Sequence, residues 1–364
     1  MQKFISIQTI DTHKNHAGNK ARADVFQIFS EDTFVPLYIP PKHFCFTKRR
    51  FMHLRRYIEP AEKQIMLFFS FFPIFSIKKN AFVFFQYPLE HVNKDKTLAM
   101  LRSSKAKHNL TLAAVIHDLD SLRIPDPGAV ERETVNLKTF DYLIAHNAVM
   151  KNWLIHAGIA AEHICVLNLF DYLTDYVPLP AAVKTDVIAF AGNLNKSTFY
   201  TKLHEINGIS FNIYGPNKDN TPFDSDAVHY RGQATPAEIV QRLQGSFGLV
   251  WDGGSLDTCE GEYGRYLKIN TPHKTSLYIV AGLPVIVWKQ SAIAPYITEK
   301  NIGITVDSLR DLPGILSSLT QQDYDSMRRN VLQEASDLAS GKHLRTQTAY
   351  IMHSLEHSAD SILS

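Results

Sequence analysis

The stretch Gly245–Lys289 reads GSFGLVWDGGSLDTCEGEYGRYLKINTPHKTSLYIVAGLPVIVWK, and it decides the fold of this 364-residue chain. It contains two short apolar strands, Phe247–Trp251 and Leu283–Trp288, separated by a polar loop and a helix. Three apolar residues give that helix a face to bury: Leu277, Tyr278 and Ala281. A strand, a helix and a second apolar strand in this order predict a βαβ unit of a parallel sheet.

The helix inside this stretch begins in the segment NTPHK. Asn270 or Thr271 can cap it, and Pro272 suits the first turn because its missing N–H has no partner there anyway. Lys274 adds a positive charge where unpaired main-chain N–H groups already attract anions. Gly282 is expected to end the helix at the C′ position. The segment indicates either a phosphate site at the end of a strand or an ordinary βαβ unit with a solvated lysine.

Composition limits the class of protein. A hydrophobic content of 45% over 364 residues suffices for two domains of ordinary size. A net charge of +2 gives no general polyanion-binding signature, so we expect no nucleic-acid partner. Three dispersed cysteines without a CxxC pair argue for a reducing compartment and against a zinc site. The N-terminal residues lack a signal-peptide core, which favours a cytoplasmic location.

Two segments suggest a membrane at first sight. Ile65–Ile77, IMLFFSFFPIFSI, is too short to span a bilayer, and we expect it to be buried around a strand. Lys48–Arg56, KRRFMHLRR, predicts a basic amphipathic helix. Such a helix suits a membrane surface or a lipid phosphate, but equally a solvated face or a protein partner. Peripheral contact with the inner face of the membrane is therefore one expectation for this segment.

The chain opens with a strand, a loop and a helix. The strand is predicted over Phe4–Ile10, the loop over Asp11–Lys20 and the helix from Ala21 to about Ser30. The loop matches neither GxGxxG nor a P-loop. Asn19 allows close approach to a ligand, and Lys20 could meet a carboxylate or a phosphate. A simple βα turn is the alternative.

A cluster of ionisable residues follows the apolar run Leu110–Ile116 in the segment HDLDSLR. Ligands of open α/β sheets bind at the carboxyl ends of strands, which favours a functional role for this cluster. His117, Asp118 and Asp120 could each supply a general base. The HxD spacing also allows metal binding, but a third ligand is not evident. Loop capping is the alternative for each residue.

A second α/β series begins after the break Pro178-Leu-Pro180. Its first strand, Val187–Phe190, leads into AGNLNKSTF, where Gly192 and Asn193 make a tight turn and Lys196 begins a helix. The further predicted strands and helices are Asn80–Gln86, Lys94–Lys107, Phe140–His146, Lys151–Ala157, Ile164–Leu169, Phe211–Tyr214, Val228–Gly232, Pro236–Leu243, Ile302–Val306, Gln321–Ala339 and His343–Leu355.

This alternation predicts an α/β protein with two doubly wound, Rossmann-like domains facing across a cleft. We expect an N-terminal Rossmann-like domain at residues 1–180 and a C-terminal one at 181–340. Residues 341–364 form a C-terminal helix that is expected to pack back on the N-terminal domain.

The motifs AGNL, HYRG, GSFGLVWDG and YLKINTPHKTSLYIVAGLPVIV together resemble glycosyltransferases of the GT-B fold. More narrowly, the chain is similar to bacterial β-1,6-galactofuranosyltransferases and the glucosyltransferase-3 enzymes that extend adhesin glycans. NHAGNKA, HDLDSLR and DYLIAHNAVM fit the same group, so the resemblance covers most of the chain. It implies a UDP-sugar donor as substrate, no cofactor, a lipid-linked or protein-linked glycan acceptor and a homo-oligomer. It also implies that residues 1–180 are the acceptor-side domain and that residues 181–340 are the nucleotide-sugar-binding domain.

The resemblance also implies site residues. Lys196 and Lys274 match basic residues that face the donor diphosphate, and Tyr230 matches an aromatic residue that contacts the nucleotide. Asn19 and Lys20 match a loop that closes over donor and acceptor. The predicted donor site also includes Gly192, Asn193, His273 and Thr275.

One position departs from the resemblance. Many GT-B enzymes carry a glutamate that grips the ribose at the place of Leu277, and Asp252 could serve the ribose or the sugar instead. This difference favours an inverting mechanism. GT-B enzymes generally use helix dipoles and basic side chains in place of a metal, so the resemblance implies no metal. Asp118 is the expected base. His117 and Asp120 compete for that role. A catalytically inactive GT-B subunit that binds a glycan or steadies a partner is the alternative function.

Overall fold

The computed structural model describes residues 4–9, 17–32, 34–39, 74, 77–89, 94–123, 126–179, 182–217 and 225–363. The chain divides into two compact units. The first takes residues 1–14, 25–145 and 154–165, and the second takes 15–24, 146–153 and 166–364. The segments Lys48–Arg56 and nearly all of Ile65–Ile77 lie outside the described residues.

The first sheet has six strands in the order β2-β1-β3-β4-β5-β6. Parallel pairing joins β2 to β1, β1 to β3, β3 to β4 and β4 to β5. The strands are β1 (Phe4–Thr9), β2 (Val35–Ile39), β3 (Phe82–Tyr87), β4 (Thr111–Ile116), β5 (Tyr142–Ala145) and β6 (Ile164–Val166). Every residue of β3 is buried, as expected for a parallel strand covered on both faces.

The helices connecting these strands are α1 (Ala17–Glu31), α2 (Lys94–His108), α3 (Asp120–Arg123), α4 (Ala129–Leu137) and α5 (Ala148–His156), with a 3₁₀ turn at Ala161–His163. The aromatic ring of Phe29 on α1 packs 4.4 Å from that of Phe84, centroid to centroid. This contact fixes α1 on one face of the sheet.

The second sheet has six parallel strands in the order β12-β11-β10-β7-β8-β9. They are β7 (Val187–Ala191), β8 (Ser210–Tyr214), β9 (Val228–Tyr230), β10 (Phe247–Val250), β11 (Val285–Trp288) and β12 (Gly303–Val306). The strand order reverses between β7 and β10. A crevice opens at such a switch point, beyond the carboxyl ends of the two strands, and it is the usual ligand site of a doubly wound sheet.

The helices of the second series are α6 (Pro236–Arg242), α7 (Gly261–Tyr266), α8 (His273–Val280), α9 (Ala294–Lys300), α10 (Leu312–Ser318), α11 (Gln321–Ala339) and α12 (Lys342–Leu363). Short 3₁₀ helices lie at Phe199–Glu205 and Leu309–Asp311. The predicted helix Gln321–Ala339 is confirmed at both ends. None of the helices in the described part of the chain is long and apolar enough to cross a membrane.

Helix α8 packs tightly on the second sheet, as the sequence predicts. A Cβ atom on Gly248 of β10 would lie 2.1 Å from the ring of Tyr278, so only glycine permits this contact. The Tyr278 hydroxyl also accepts a 2.7 Å hydrogen bond from the main-chain N–H of Ala191 at the end of β7. Gly282 has φ +79° and ends the helix, which confirms the predicted C′ position.

The start of α12 depends on a distant residue. Asp171 is buried, and its carboxylate accepts hydrogen bonds from the main-chain N–H groups of His343 (3.1 Å) and Leu344 (2.8 Å). Both groups belong to the first turn of α12, where N–H groups lack helical partners. Asp171 thus caps a helix that begins 171 residues later in the chain.

Two predicted helix starts are wrong. The first helix begins at Ala17, so Asn19 and Lys20 lie in α1 and not in a loop. Lys20 pairs with Asp24 four residues on, which stabilises this turn. Lys196 does not begin a helix, because residues 194–196 form a turn and a 3₁₀ helix follows from Phe199.

Candidate functional site

A cavity of about 530 Å³ lies in the second unit, at the switch point of the second sheet. Gly192 and Asn193 line it beyond β7, and His273 and Lys274 line it from the first turn of α8. Its volume falls within the range of about 300–1,000 Å³ usual for small-molecule sites. The structure thus brings four of the predicted donor-binding residues to one cavity.

Lys274 is held in place by two residues just beyond the end of β10. Its Nζ donates to both carboxylate oxygens of Asp252 at 3.0 Å and to the carbonyl of Trp251 at 3.1 Å. It also lies 5.1 Å from the ring centroid of Phe190. The ammonium group is therefore positioned at the cavity wall before any ligand binds.

Ser197 orients the carboxylate of this pair. Its hydroxyl donates to Asp252 Oδ1 at 2.8 Å and accepts from the N–H of Gly253 at 3.3 Å. The side chains of Lys274 and Asp252 are only 15% and 19% exposed, so their attraction is weakly screened. Ser197, Asp252 and Lys274 form one connected polar group.

The N-terminus of α8 carries no side-chain cap. Pro272 occupies the N-cap position, so the predicted capping by Asn270 or Thr271 is wrong. The hydroxyl of Thr271 instead lies 3.1 Å from Asn147 Nδ2, which donates to it. The main-chain N–H of Thr271 donates to His146 Nδ1 at 3.0 Å. Uncapped N–H groups beside Lys274 can bind an anion.

Thr275, which the sequence analysis placed in the donor site, is not among the residues that line the cavity. It is fully buried, and its hydroxyl has no hydrogen-bond partner within the protein. Its N–H donates to the carbonyl of Pro272 at 2.9 Å, closing the first turn of α8. Its contribution to this region comes from the main chain.

His273 packs against an aromatic residue. Its ring stacks on that of Tyr172, with centroids 5.1 Å apart. Burial, aided by the nearby Lys20 charge and opposed by a hydrogen bond to the Asp171 main chain, lowers the pKa of His273 to about 3. The imidazole is therefore neutral at physiological pH, and its Nε2 atom is buried without a partner.

Lys20 is occupied by neighbours in the second unit. It is paired with Asp24, donates to the carbonyl of Leu173 at 2.8 Å and lies 4.6 Å from the ring centroid of Tyr172. Burial raises the pKa of Asp24 to about 6, against the opposing effect of Lys20. The ammonium group of Lys20 here meets a carboxylate, one of the two partners the sequence suggested. Asn19 lies beside it in α1.

The predicted turn after β7 is present. The N–H of Lys196 donates to the carbonyl of Asn193 at 3.0 Å, and the Asn193 side chain accepts from the N–H of Asn195 at 3.0 Å. Lys196 Nζ lies 4.8 Å from the ring centroid of Tyr263. Tyr230 donates its hydroxyl to the carbonyl of Gly215 at 2.9 Å, which ties β9 to a cavity-lining glycine.

The predicted catalytic cluster belongs to the first unit, beyond the carboxyl end of β4. Arg123 donates to Asp118 Oδ2 at 3.1 Å and to Asp120 Oδ1 at 2.7 Å. His117 Nε2 lies 2.8 Å from Gln86 Oε1. The structure brings Asp118 and Asp120 together on one guanidinium group, so each carboxylate is oriented by the same cation.

A buried glutamate holds the loop that carries these residues. Glu133 accepts hydrogen bonds from the N–H of Asp120 at 3.2 Å, the N–H of Ser121 at 2.9 Å and the hydroxyl of Tyr87 at 3.0 Å. Glu133 thus caps this loop, whereas the Asp120 side chain pairs with Arg123.

Both halves of the chain match one protein family. Residues 3–169 match the N-terminal domain and residues 188–350 the C-terminal domain of the Glucosyltransferase 3-like family. The chain is also 33% identical over 241 residues to the beta-1,6-galactofuranosyltransferase WbbI of Escherichia coli (strain K12), covering 64% of this chain and 69% of that protein. This chain belongs to the Glucosyltransferase 3-like family.

Glucosyltransferase 3 of Streptococcus gordonii is a further relative of this Glucosyltransferase 3-like chain. It is 27% identical over 225 residues, which cover 60% of this chain and 64% of the relative. The chain thus spans about two thirds of the curated relatives it matches. The expected glycosyltransferase family is confirmed.

Solved structures confirm the fold. Anabaena Alr3699/HepE, determined in complex with UDP and glucose, superposes with a TM-score of 0.55 at 12% identity, covering 97% of this chain and 100% of that one. At this identity the likeness concerns the fold alone. The Glucosyltransferase 3-like chain has the two Rossmann-like sheets of the GT-B fold, as the sequence predicted.

Several cavity residues of this Glucosyltransferase 3-like chain were missed at the sequence level. Tyr172, Thr235 and Glu238 line the cavity, and Ser197 supports it through Asp252. The segment TPAE could have indicated that Thr235 and Glu238 begin a helix, because T-x-x-E is a capping-box pattern. Both hydrogen bonds of that box are present at Thr235 and Glu238. In the part of the chain that is described, no group of three His, Cys, Asp or Glu side chains could hold a metal ion.

Proposed function

We propose that this chain transfers a hexose, galactofuranose or glucose, from a UDP-linked donor to a hydroxyl group of a glycan acceptor. The observation that carries the proposal is the pairing of Lys274 with the uncapped N-terminus of α8 at the wall of one cavity. A leaving diphosphate needs positive charge, and these groups supply it without a metal ion. The names of the two relatives support the choice of sugars.

The proposed transfer proceeds with inversion. The acceptor oxygen forms a bond to the anomeric carbon while the bond from that carbon to the diphosphate oxygen breaks. The electron pair leaves with UDP, and the acceptor proton passes to a base. Asp118 is the proposed base, because Arg123 orients its carboxylate, and His117 and Asp120 are the alternatives.

The donor side draws on residues of the second unit. Lys274 contacts the diphosphate, Gly192 and Asn193 offer main-chain groups beside it, and Lys196 lies one turn further along the same loop. Asp252 neutralises the ammonium group of Lys274 when no anion is bound. We propose that the donor diphosphate replaces Asp252 as the partner of Lys274. Tyr230 supports the nucleotide side by fixing Gly215.

Ligand binding tests the proposal. UDP, UDP-glucose, UDP-galactofuranose, UDP-N-acetylglucosamine, GDP and NAD are titrated against the thermal unfolding midpoint of the protein. A ligand that binds only the folded state raises the midpoint according to its affinity. We expect UDP compounds to raise it and GDP and NAD to leave it unchanged. Absence of any response to UDP compounds contradicts the proposal.

Turnover distinguishes an enzyme from an inactive binding subunit. Release of UDP is measured with each UDP-sugar and candidate glycan acceptors, and the product is examined for its anomeric configuration. UDP-sugar binding with no transfer to an authentic acceptor would favour the inactive GT-B subunit. A product with retained configuration contradicts the inverting mechanism alone.

The acceptor is proposed to be a glycan carried by a lipid at the inner face of the membrane or by a protein. The basic sequence Lys48–Arg56 supports the lipid-linked class. Flotation of the protein with anionic liposomes separates the two, with Arg55→Glu and Arg56→Glu as the control. Lack of liposome binding at low salt favours a soluble acceptor. Sedimentation of the same protein tests the expected homo-oligomer.

A further inference from the structure

We infer that Glu238 binds the ribose of the donor nucleotide, accepting hydrogen bonds from the ribose hydroxyl groups with its carboxylate. The inference rests on the proposed function, in which the donor diphosphate lies at Lys274. It gives the ribose a different carboxylate from Asp252, which the sequence suggested and which pairs with Lys274.

Two charged side chains of opposite sign are among the described residues that line the cavity. Lys274 supplies an ammonium group from α8, and Glu238 supplies, from α6, the only carboxylate among the described residues that line it. A diphosphate is attracted to Lys274 and repelled by Glu238. A nucleoside diphosphate therefore binds with its phosphates at α8 and its neutral nucleoside toward α6.

The wall of α8 offers the nucleoside no hydrogen-bond acceptor where the ribose must follow the phosphates. Leu277, one turn beyond Lys274 on the same face, is apolar and lines the cavity. Helix α6 packs against α8, and Ile239 on α6 is also apolar. Glu238 supplies the one carboxylate that the described lining residues offer to the ribose hydroxyl groups.

The Glu238 carboxylate is already oriented. Its Oε2 accepts hydrogen bonds from the N–H of Thr235 at 3.1 Å and from the Thr235 hydroxyl at 3.0 Å. Its Oε1 lies 3.5 Å from Arg242 Nη2, in an exposed pair of the kind that contributes little. A carboxylate offers about four acceptor sites, so Oε1 retains capacity for a ligand. Fixing the side chain in advance lowers the entropy lost on binding.

A vicinal diol suits this acceptor. The two ribose hydroxyl groups are donors, and hydrogen bonds from neutral donors to a carboxylate are stronger than those between neutral groups. Removing one hydroxyl from the ligand should therefore weaken binding in the natural protein, and removing the carboxylate should abolish that difference.

The test is a comparison of UDP with 2′-deoxy-UDP and 3′-deoxy-UDP by titration calorimetry. In the unaltered protein we expect at least one deoxy compound to bind about 10- to 100-fold more weakly than UDP, the effect of a hydrogen bond to a charged group. In Glu238→Ala we expect UDP and both deoxy compounds to bind with dissociation constants within about threefold of one another. Glu238→Gln should give an intermediate ratio.

Two controls separate binding from folding. Gln also serves at this position of a capping box, so Glu238→Gln keeps α6 intact while removing the charge. Its thermal unfolding midpoint without ligand should match that of the unaltered protein. Glu299→Gln changes an exposed carboxylate on α9, outside the cavity lining, and should leave all three dissociation constants unchanged.

The outcomes are distinct. Tight UDP binding with the same deoxy penalty in Glu238→Ala and in the unaltered protein overturns the inference while leaving the proposed function intact. Equal binding of UDP and both deoxy compounds by the unaltered protein does the same. A penalty for 5-substituted or N3-methylated uracil that disappears in Glu238→Ala assigns the residue to the base. No binding of UDP at all overturns the proposed function and the inference together.

Discussion

Lys274 and Asp252 form an ion pair in which Nζ lies 3.0 Å from each carboxylate oxygen. Lys274 lies in the first turn of α8, and Asp252 follows β10, so the pair ties the start of α8 to the end of that strand. The Asp252 carboxylate binds the ammonium group in the way that an anionic ligand would. In the proposed donor site, binding of the diphosphate at Lys274 is therefore an exchange of one anion for another.

Replacing Lys274 by Ala should lower kcat/KM for the UDP-sugar by about 10²- to 10³-fold, the loss typical of one preorganised contact to a leaving group. The reason is that the diphosphate loses its contact with the Lys274 ammonium group and keeps only the N–H groups of α8. Steady-state kinetics measures the effect. Lys289→Ala removes an exposed lysine paired with Asp307 and should leave kcat/KM unaltered. Equal kinetics for Lys274→Ala and the unaltered protein would remove Lys274 from the site.

Replacing Asp252 by Asn should lower the free energy of unfolding by about 1–3 kcal/mol when no ligand is present. The change leaves the largely buried ammonium group of Lys274 without its counter-charge. UDP should then raise the unfolding midpoint of the variant by more than it raises that of the unaltered protein. Urea unfolding with and without UDP measures both effects. Asp307→Asn, which breaks an exposed pair, serves as the control, and a UDP response no larger in Asp252→Asn contradicts the exchange.

The His273 ring should make stability depend on pH. Its folded pKa of about 3 lies below the ordinary 6.5, so the unfolded chain takes up the proton first as the pH falls. The contribution to stability is complete above about pH 6.5 and is lost as the pH falls through about 3, with a slope of at most about 1.4 kcal/mol per pH unit.

His273→Phe keeps an aromatic ring against Tyr172 but removes this titration. The unfolding free energy of the unaltered protein minus that of His273→Phe should therefore fall steadily as the pH is lowered from 7 to 4. Taking the difference removes the opposite contributions of Asp24 and Asp171, whose pKa values burial raises to about 6. His204→Phe, at an exposed position, should show no such trend. A constant difference for His273→Phe would mean that the ring ionises normally.

Replacing Asp118 by Asn should lower kcat by about 10²-fold or more, the usual contribution of a general base. The dissociation constant of UDP should not change, since the donor residues belong to the second unit. Asp126→Asn, which removes an exposed carboxylate paired with Arg132, gives the baseline. If Asp120→Asn or a His117 variant loses turnover and Asp118→Asn does not, the base is reassigned to that residue.

Replacing Asp171 by Ala should lower the free energy of unfolding by about 1–3 kcal/mol, because two N–H groups of α12 lose their acceptor. Asp337→Ala, in the last turn of α11, breaks a pair with the exposed Lys342 and should cost less than about 1 kcal/mol. Chemical unfolding of both variants tests the cap. Similar small losses in the two would show that α12 does not depend on Asp171.

The sequence predicted the regular elements where local patterns are strong. Strand β4 and helix α8 follow from an apolar run and from the N-terminal proline and C-terminal glycine signals around one buried face. Strand β2 was missed because its sequence VPLYI contains Pro36, which argues against a strand. It lies at the edge of the first sheet, where proline is tolerated.

The site was predicted in part for a similar reason. Lys274 could be found because its own segment carries the helix-start chemistry. Its partner Asp252 was singled out without the pairing, and Glu238 was missed, because contacts across 22 residues or between α6 and α8 leave no local pattern. The predicted start of α1 is too late. The spacing of Lys20 and Asp24 is that of an ion pair on one helix face and favours a helix that includes Lys20.

The cap that Asp171 provides for α12 has a consequence for biosynthesis. The N–H of Leu344 emerges from the ribosome 173 residues after the carboxylate that receives it, which is about 9 to 35 seconds at usual elongation rates. Throughout that interval the nascent second unit holds an aspartate whose helical partner has not been made. A chain whose translation stops before residue 342 lacks His343 and Leu344 and therefore never forms this contact. We expect premature termination near the C-terminus to leave Asp171 without the N–H groups that it caps.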